Sequence, residues 1–389
     1  HLPGDLRGPR GCPTVGKMRI LPPFRDKNMR IFDQIFRGAG AAAFLLLAPS
    51  GFAADEPTMG AHPIRAEIQP EPVQKALAAK APGEVLAPAD TLRRVAPGIH
   101  ATYGVIGTID EFNRGFNGNA YFVETGEGVV VIDSLGSPRL GRKWIQAIRS
   151  RTDEPIEYLI LTHNHPDHSF GAAAFRQWTD ATVIAHPGTE RYLRSTPFEE
   201  SVAFRERLLG GDFAEFEPVR PDRTVDKPAF DGPLELELGD EVFHIHNVGQ
   251  HHSFGDLVVH MPERKVTFVS DLYFQNRTTY MADGDVGDYS RAHRFVKENL
   301  ETRLMVPGHG VAQEGPPFPM REKTVSYVRR LRDMMKEAVQ GMTPLDAAVD
   351  KAAEAFPEWE GTALFEENHR KNANFVYREM EREVLFGEE

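Results

Sequence analysis

The sequence contains a single cysteine, Cys12, among its 389 residues. One thiol cannot form an intramolecular disulfide, and it cannot build a cysteine-rich zinc site. A chain of this length buries enough apolar surface to fold without such covalent staples. Any metal ion that the protein binds must therefore be held by histidine and aspartate side chains.

No apolar run of membrane-spanning length is present. The run from Gly38 to Ala48 is shorter than the roughly 20 apolar residues that a spanning helix needs. It follows an arginine-bearing segment and precedes the small residues of Gly51-Phe52-Ala53, an arrangement typical of a secretory signal. We expect residues 1–28 to lie upstream of the native start, residues 29–53 to be the signal peptide, and the mature protein to be periplasmic or secreted, without an integral membrane segment.

An excess of positive charge is also missing. The formal net charge is −12, and because residues 1–53 carry eight Lys/Arg and three Asp/Glu, the mature chain carries −17. An acidic surface repels the phosphate backbone of nucleic acids. We therefore exclude nucleic acid as a partner and expect a small-molecule substrate.

Composition and periodicity divide the rest of the chain into three parts. Residues 54–97 are rich in Pro, Ala and Glu and predict a linker with a short helix near Val73–Lys80. We place the catalytic domain at residues 98–315. Residues 316–389 predict a helical C-terminal extension, because apolar residues recur there at helical spacing: Val325, Val328, Leu331, Met335 and Val339.

Strand and helix signals alternate within the catalytic domain. Continuous apolar runs predict buried strands at Gly128–Asp133, Glu157–Thr162 and Ala181–Ala185, and Pro262-Glu263-Arg264 predicts the turn of a hairpin. A polar helical insertion is predicted at Thr189–Leu209. This alternation is compatible with an α/β fold of two sheets flanked by helices.

Four potential metal ligands follow the second predicted strand within six positions: His163, His165, Asp167 and His168. Side chains alternate along an extended segment, so His163 and His165 point the same way and can bind one ion. Asp167 and His168 fall at the turn into a helix, where they can face a second ion. Imidazole and carboxylate groups are ligands that zinc prefers. The alternative, a polar loop that is rich in histidine by chance, does not account for this density.

The cluster resembles the His-x-His-x-Asp-His signature of the metallo-β-lactamase superfamily. The other motifs of that family follow over roughly residues 99–310: Asp133 at a strand end, His252 in His-Ser-Phe-Gly-Asp, Asp271 after another strand, and His309 in Gly-His-Gly. The resemblance implies an αββα sandwich, two mixed sheets flanked by helices, which here carries a helical C-terminal tail.

The resemblance also implies two metal ions per chain, Zn²⁺ or alternatively iron. One ion takes His163, His165 and His252, and the other takes Asp167, His168 and His309. Asp271 bridges the two ions. Asp133 does not bind an ion itself but orients a metal ligand and raises the basicity of that ligand.

Some assignments within these motifs have alternatives. His251 is adjacent to His252, but the Ser-x-Gly-Asp pattern that follows favours His252 as the ligand. We assign catalytic roles to Asp167 and Asp271. Tyr273, two residues beyond Asp271, is a candidate hydrogen-bond donor to the developing oxyanion, and a packed core tyrosine is the alternative.

The secretion signal, the helical insertion and the tail motif Glu366-Glu367-Asn368-His369-Arg370 are similar to those of periplasmic metallohydrolases of quinoprotein-relay and sulfur-oxidation systems. This resemblance indicates the compartment more than the chemistry. The function that we favour is that of a secreted binuclear zinc hydrolase that attacks an ester, thioester or lactone carbonyl with a metal-bridging hydroxide. A β-lactamase and a mono-iron persulfide dioxygenase are the alternatives. Electron-transfer di-iron relatives fit poorly, because they carry Glu where this chain has His165.

Ester-like or lactone substrates are favoured over β-lactams. Asp271 stands where the zinc β-lactamases that this chain resembles carry Cys or Ser. Phe274 stands where some of them carry a lysine that holds the substrate carboxylate, and Arg277 is the nearest cation in the sequence.

We predict an exported protein whose mature N-terminus lies within a few residues of Ala54. Mass spectrometry of the protein from a bacterial host that secretes it tests this cleavage. An intact cytoplasmic chain that starts at Met18 or Met29 would contradict the prediction.

Overall fold

The computed structural model describes residues 65–81 and 83–387. Cys12 and the predicted signal peptide, residues 29–53, lie outside the described residues. Among the helices of the described residues, none combines the length and the hydropathy of a membrane-spanning segment.

Thirteen strands of the described chain form two sheets. The first sheet has the order β1 (Arg93–Ala96), β2 (Ile99–Thr102), β3 (Ala120–Glu124), β4 (Val129–Ile132), β5 (Ile156–Ile160), β6 (Thr182–Ala185) and β7 (Arg223–Thr224). The second sheet runs from β13 (Gln313–Glu314) through β12 (Leu304–Pro307), β11 (Val266–Ser270), β10 (Leu257–Met261) and β9 (Glu241–Asn247) to β8 (Leu234–Leu238).

The helices of the described chain are α1 (Glu71–Ala79), α2 (Pro88–Thr91), α3 (Pro138–Arg149), α4 (Pro166–Ser169), α5 (Ala172–Trp178), α6 (Thr189–Tyr192), α7 (Thr196–Leu209), α8 (Val286–Asn299), α9 (Pro319–Gln340), α10 (Leu345–Glu354) and α11 (Phe365–Phe386). Short 3₁₀ turns lie at Ala66–Ile68, Gly210–Phe213 and Pro357–Trp359.

Both sheets are mixed. In the first, β1 to β4 are antiparallel and β4 to β7 are parallel. In the second, β11 and β12 are parallel and the other pairs are antiparallel. Parallel neighbours need a crossover connection, which α3 provides between β4 and β5, and α8 between β11 and β12.

The two sheets pack face to face. Tyr121 of β3 meets Phe268 of β11 edge to face, with ring centroids 5.4 Å apart. The outer side of the first sheet is covered by α3, whose Trp144 packs on Phe122. Val258 and Met305 of the second sheet belong to a separate apolar cluster with α8 and the C-terminal helices. The predicted αββα sandwich with a helical C-terminal region is confirmed.

The predicted linker at residues 54–97 is wrong for its described part. The short helix forms as α1, but Val73, Leu86 and Leu92 are buried in the main core, and β1 pairs with β2. Composition suggested a linker because Pro and Ala dominate this segment. The few apolar side chains between them nevertheless pack on the sandwich, so the ordered fold begins well before residue 98.

The predicted insertion forms α6 and α7, which pack through a small apolar cluster against the segment that follows β5. Phe170, Tyr192, Leu209 and Phe213 are buried together there. Ser195 caps α7 by accepting a hydrogen bond from the Phe198 amide, as expected for a serine at this position. The insertion is thereby fixed beside α4, the short helix that carries Asp167 and His168.

We predict that the C-terminal helices are integral to the stability of the fold. Leu331 of α9 is fully buried in the cluster shared with the second sheet. Leu331→Ala should therefore lower the free energy of unfolding by about 2–5 kcal/mol, measured by urea denaturation. Leu385 of α11 is 62% exposed, and the matched control Leu385→Ala should change stability by about 0.5 kcal/mol or less. Equal effects of the two substitutions would show that the tail is not packed as described.

Candidate metal centre

The site lies where the carboxyl ends of two parallel strand pairs meet. Asp133 directly follows β4, and the His163 loop follows β5. In the opposite sheet, Asp271 directly follows β11 and His309 lies two residues after β12. The sheets are joined at this edge by hydrogen bonds from the Leu257 amide to the Thr162 carbonyl and from the Asn119 amide to the Gly308 carbonyl.

Unusual backbone geometry accompanies this convergence. Asp133 has φ 65° and Ser270, just before Asp271, has φ 45°. Such left-handed conformations cost of order 1–3 kcal/mol for most residues and cluster at functional sites. At Gly308 a Cβ atom would collide with Asp271 Oδ1, and at Gly118 it would lie 2.7 Å from the Asp167 carbonyl oxygen. The site loops therefore approach each other more closely than side-chain-bearing residues would allow.

The structure brings all seven predicted ligands together. Three overlapping groups each have ligand atoms within 4.8 Å of one another: His163, His165 and His252; Asp167, His168 and His309; and His163, His168 and Asp271.

Asp271 lies between the first two groups. Its Oδ2 atom is 3.2 Å from Nε2 of both His252 and His309, and its Oδ1 atom is 3.4 Å from His168 Nε2. His163 Nε2 is 3.9 Å from Oδ2. One carboxylate therefore faces histidines of both groups, which fits the bridging position that the family resemblance implies.

The polar atoms at the centre of the cluster fit a divalent metal. His163 Nε2, both ring nitrogens of His252 and Asp271 Oδ1 are buried without a hydrogen-bond partner. Leaving buried polar groups unsatisfied costs about 1–3 kcal/mol each. Imidazole nitrogens and carboxylate oxygens that converge on one space are the ligands of zinc and similar ions. The residues present can thus hold the metal that the fold implies.

Two aspartates orient the histidine rings from outside the cluster. Asp133 Oδ2 lies 2.9 Å from His168 Nδ1, which leaves His168 Nε2 to face the cluster. The Asp133 carboxylate also accepts hydrogen bonds from Thr162, from the amide at Oδ1 and from the hydroxyl at Oδ2. Asp283 Oδ2 lies 3.2 Å from His165 Nε2, which leaves Nδ1 free. A carboxylate partner of this kind fixes the tautomer of a metal-binding histidine.

Sequence reasoning missed Asp283. It lies 12 residues beyond Asp271 in an irregular loop, where no motif or periodicity marks it. Asp283 and His165 form a pair only because the chain folds back past His165 in the tertiary structure.

Electrostatics keep the carboxylates ionised and one histidine neutral. Burial alone raises the pKa of Asp271, but His309 and His168 outweigh it and hold that pKa well below its usual range. Burial lowers the pKa of His163 far below its usual value. Burial opposes protonation of His168, yet Asp271 and Asp167 raise its pKa to about 9.

Tyr273 requires a correction. Its side chain is fully buried among apolar residues, and its hydroxyl pairs with His293 Nδ1 of α8 at 2.9 Å. Burial raises the pKa of this hydroxyl far above its usual value. Tyr273 is a packed core residue, and the role of oxyanion donor does not fit its position. Three residues beyond the end of β11, the chain has already returned to the apolar cluster.

The choice between the adjacent histidines agrees with the geometry. His252 Nε2 faces Asp271, whereas His251 packs against Tyr289 of α8 and lies 4.0 Å from Asp256. Asp256 accepts hydrogen bonds from the amides of His252 and Ser253. The Ser-x-Gly-Asp sequence is thus a turn that holds His252 in place.

Arg277 points toward the cluster. Its Nη1 atom lies 3.4 Å from His309 Nδ1. Phe274 stacks on the His309 ring, with ring centroids 5.8 Å apart. Burial and then the positive charge of Arg277 lower the pKa of His309. Burial raises the pKa of Asp167, but His168, His309 and Arg277 outweigh it and hold that pKa well below its usual range.

The loop that carries Arg277 is held by the C-terminal helical region. The Ala363 amide donates to the Asn276 carbonyl, and the Thr278 amide donates to the Ala363 carbonyl. Asn372 of α11 donates to the Thr279 carbonyl and accepts from the Met281 amide. The tail therefore forms the outer support of this side of the site.

Comparisons with known proteins agree with this architecture. The family model described as the metallo-beta-lactamase superfamily matches residues 113–309, about half of the chain. The chain is 22% identical over 203 residues to a metallo-beta-lactamase type 2 from Elizabethkingia meningoseptica, which covers 50% of this chain and 71% of that protein. It is 38% identical over 53 residues to a linear primary-alkylsulfatase from a Pseudomonas strain, but this match covers 14% of the chain and only 10% of the relative.

Among solved structures, the chain is similar to the stereoselective inverting sec-alkylsulfatase Pisa1 from Pseudomonas sp., with a TM-score of 0.57 and 15% sequence identity. That match covers 75% of this chain and 51% of Pisa1, so it supports the fold alone. The chain spans about half of the Pisa1 chain and a tenth of the linear primary-alkylsulfatase.

The family model spans the segment from the loop before β3 to His309, which contains every predicted ligand. The membership predicted from five ordered motifs is confirmed, and this chain belongs to the metallo-beta-lactamase superfamily.

Proposed function

We propose that this protein is an exported, binuclear zinc-dependent hydrolase that acts on an ester, thioester or lactone. The observation that carries the proposal is the position of Asp271 between two sets of ligands. Seven ligand side chains exceed what a single tetrahedral ion uses. Bound divalent ions would supply an activated water molecule and polarise the attacked carbonyl.

The chain's own residues would hold and orient this chemistry. His163, His165 and His252 form one ligand set, and Asp167, His168 and His309 form the other. Asp133 and Asp283 fix the rings of His168 and His165.

The substrate would reach the site from the side of His165 and Asp283. Their side chains are 15% and 25% exposed, whereas those of the other ligands are at most 11% exposed. The remaining ligands are enclosed by protein, which keeps bulk water away from the reacting groups.

A second candidate is β-lactam hydrolysis. Arg277 favours it, because a cation beside His309 could hold the carboxylate of a β-lactam. The similarity to a protein named metallo-beta-lactamase type 2 also supports it. We rank it second because Phe274, and not a lysine, packs against His309 three residues beyond Asp271.

We predict two divalent ions per chain in the wild-type protein. Asp271→Ala should lower the metal content toward one ion and reduce the hydrolysis rate together with it, because the carboxylate that separates two like charges is lost. Elemental analysis after zinc reconstitution measures the content. Asp231→Ala, which removes an exposed aspartate far along the chain from the ligands, should leave both values unchanged.

The variant Asp133→Asn tests the effect of ligand orientation on metal binding separately from the effect of ligand number. It keeps all seven ligands, so it should still reach two ions at saturating zinc, but it should bind them about 10–100-fold more weakly. One tightly bound iron in the wild-type protein, with oxygen consumed on a persulfide, would replace the hydrolase proposal by the dioxygenase alternative.

We also predict the order of substrates. An aryl ester or a lactone should have a kcat/KM about tenfold or more above that of a chromogenic cephalosporin, because no lysine stands at position 274 to hold the carboxylate. The three substrates, together with an alkyl sulfate, are compared on the zinc-loaded mature protein. If the cephalosporin is hydrolysed most efficiently, the β-lactamase alternative takes the place of this assignment.

A further inference from the structure

Three histidines outside the metal centre share the outer face of the second sheet. His244 and His246 alternate along β9, and His260 of β10 lies directly opposite His244 in the strand register. Phe243 and Ile245, which alternate with them, point into the main core. Because successive side chains of a strand point to opposite faces, the three imidazoles lie on the face that is turned away from the first sheet.

Glu235 of β8 and Thr267 of β11 extend this row on either side. Glu235 is paired with His244 in the register, and Thr267 is paired with His260. The Glu235 carboxylate lies 3.9 Å from His244 Nε2. Four neighbouring strands thus present a carboxylate, two imidazoles and a hydroxyl in one line. His246 lies beside this line, and its ring centroid is 6.2 Å from that of His244.

His246 is buried without a polar partner. The residue is 5% exposed, and neither of its ring nitrogens has a hydrogen-bond partner. Its ring packs edge to face against Phe295 of α8, with centroids 5.1 Å apart. A neutral imidazole carries a lone pair on one of its two nitrogens, and leaving buried polar atoms unsatisfied is unfavourable. His246 therefore offers a ligand atom that the protein itself does not use.

A chain of hydrogen bonds determines which nitrogen of His260 carries the proton. The Thr302 hydroxyl donates to the Leu300 carbonyl, so its oxygen accepts from the Thr267 hydroxyl, 2.7 Å away. The Thr267 oxygen in turn accepts from His260 Nδ1, 2.9 Å away. The lone pair of His260 is therefore on Nε2. Metal-binding histidines are held in one tautomer by a partner of this kind on their other nitrogen.

The buried rings of the row are neutral and close enough to influence each other. Burial, followed by His244 and His260, lowers the pKa of His246 to about 4. Burial and His244 also lower the pKa of His260. Histidine binds a metal ion in its unprotonated form. Near neutral pH, a cation can therefore bind to these two rings without displacing a proton.

We propose that His244, His246 and His260 form a further metal site, which binds a divalent transition-metal ion such as zinc on the outer face of the second sheet. Glu235 is the fourth ligand and completes a set of three imidazoles and one carboxylate, which suits tetrahedral zinc. This outer site is separate from the metal centre and does not depend on the proposed hydrolase function.

Binding at the outer site requires His244 to turn toward the other two rings. Unlike the ligand atoms of the metal centre, the nitrogen atoms of these three rings do not all lie within 4.8 Å of one another. The side chains of His244 and Glu235 are 27% and 66% exposed, so both can change rotamer without repacking the core. Because this adjustment uses part of the binding free energy, the outer ion exchanges easily. Washing removes it, and it returns when free zinc is supplied.

The test is equilibrium dialysis of washed protein against increasing concentrations of free zinc. Wild type should take up one more ion per chain than it retains after washing. His244→Ala and His260→Asn should each bind this ion more than about 100-fold more weakly, because even the loss of an orienting partner costs about 10–100-fold. The asparagine amide can still donate to Thr267, so His260→Asn removes the ligand atom but keeps the contact with β11.

Two further variants separate metal binding from a structural role. Thr267→Val keeps all four ligands but removes the acceptor of the His260 ring proton, so it should weaken binding of the outer ion by about 10–100-fold. His100→Gln is the matched control. His100 of β2 is paired with Glu124 at 3.0 Å on the other sheet, and its replacement should leave the uptake of the outer ion unchanged.

Zinc-edge anomalous scattering from crystals soaked in zinc should show the outer ion between His244 and His260. Equal uptake of the additional ion by wild type, His244→Ala and His260→Asn would place that ion elsewhere and overturn the proposal, as would the absence of additional uptake by wild type. A lower zinc content of the two variants after washing would show that these histidines support the metal centre instead, which also overturns it. If the outer ion binds as proposed but wild type hydrolyses no ester, the outer site stands and the hydrolase proposal fails.

Discussion

Burial of the Asp271 carboxylate is the constraint on which the rest of the site depends. The side chain is 4% exposed and remains ionised among four histidines. An isolated buried charge is very costly unless cations or hydrogen bonds compensate it. The structure places imidazole rings on both sides of this carboxylate, so protons or metal ions can neutralise it from two directions. The cluster is therefore suited to bind cations, whether these are protons or metal ions.

This constraint explains the arrangement of the sheets. The ligands of each set come from both halves of the sandwich, so their spacing depends on the alignment of the two sheet edges. The bonds of Leu257 to Thr162 and of Asn119 to Gly308 fix that alignment beside the ligands. Glycine at 118 and 308 allows the close approach. A shift of one sheet relative to the other would separate Asp271 from His168.

The C-terminal helices have a structural and a functional connection to the site. They share an apolar cluster with the second sheet, and through Asn372 and Ala363 they hold the loop that bears both Arg277 and Asp283. Charged side chains at the rim of the centre are thus placed by contacts far from the ligands. The helical tail accordingly helps to position these side chains at the rim of the site.

The sequence by itself determined the family, the sandwich fold and the ligand candidates, because continuous strand runs and short ligand motifs are local properties of the chain. It also fixed His252 over His251 through the Ser-x-Gly-Asp turn that follows. Only the tertiary structure decided that Tyr273 faces His293, that Asp283 supports His165 and that residues such as Val73 and Leu86 join the core. These relations arise between segments distant in sequence, where packing and loop direction, and not local pattern, determine which side chains meet.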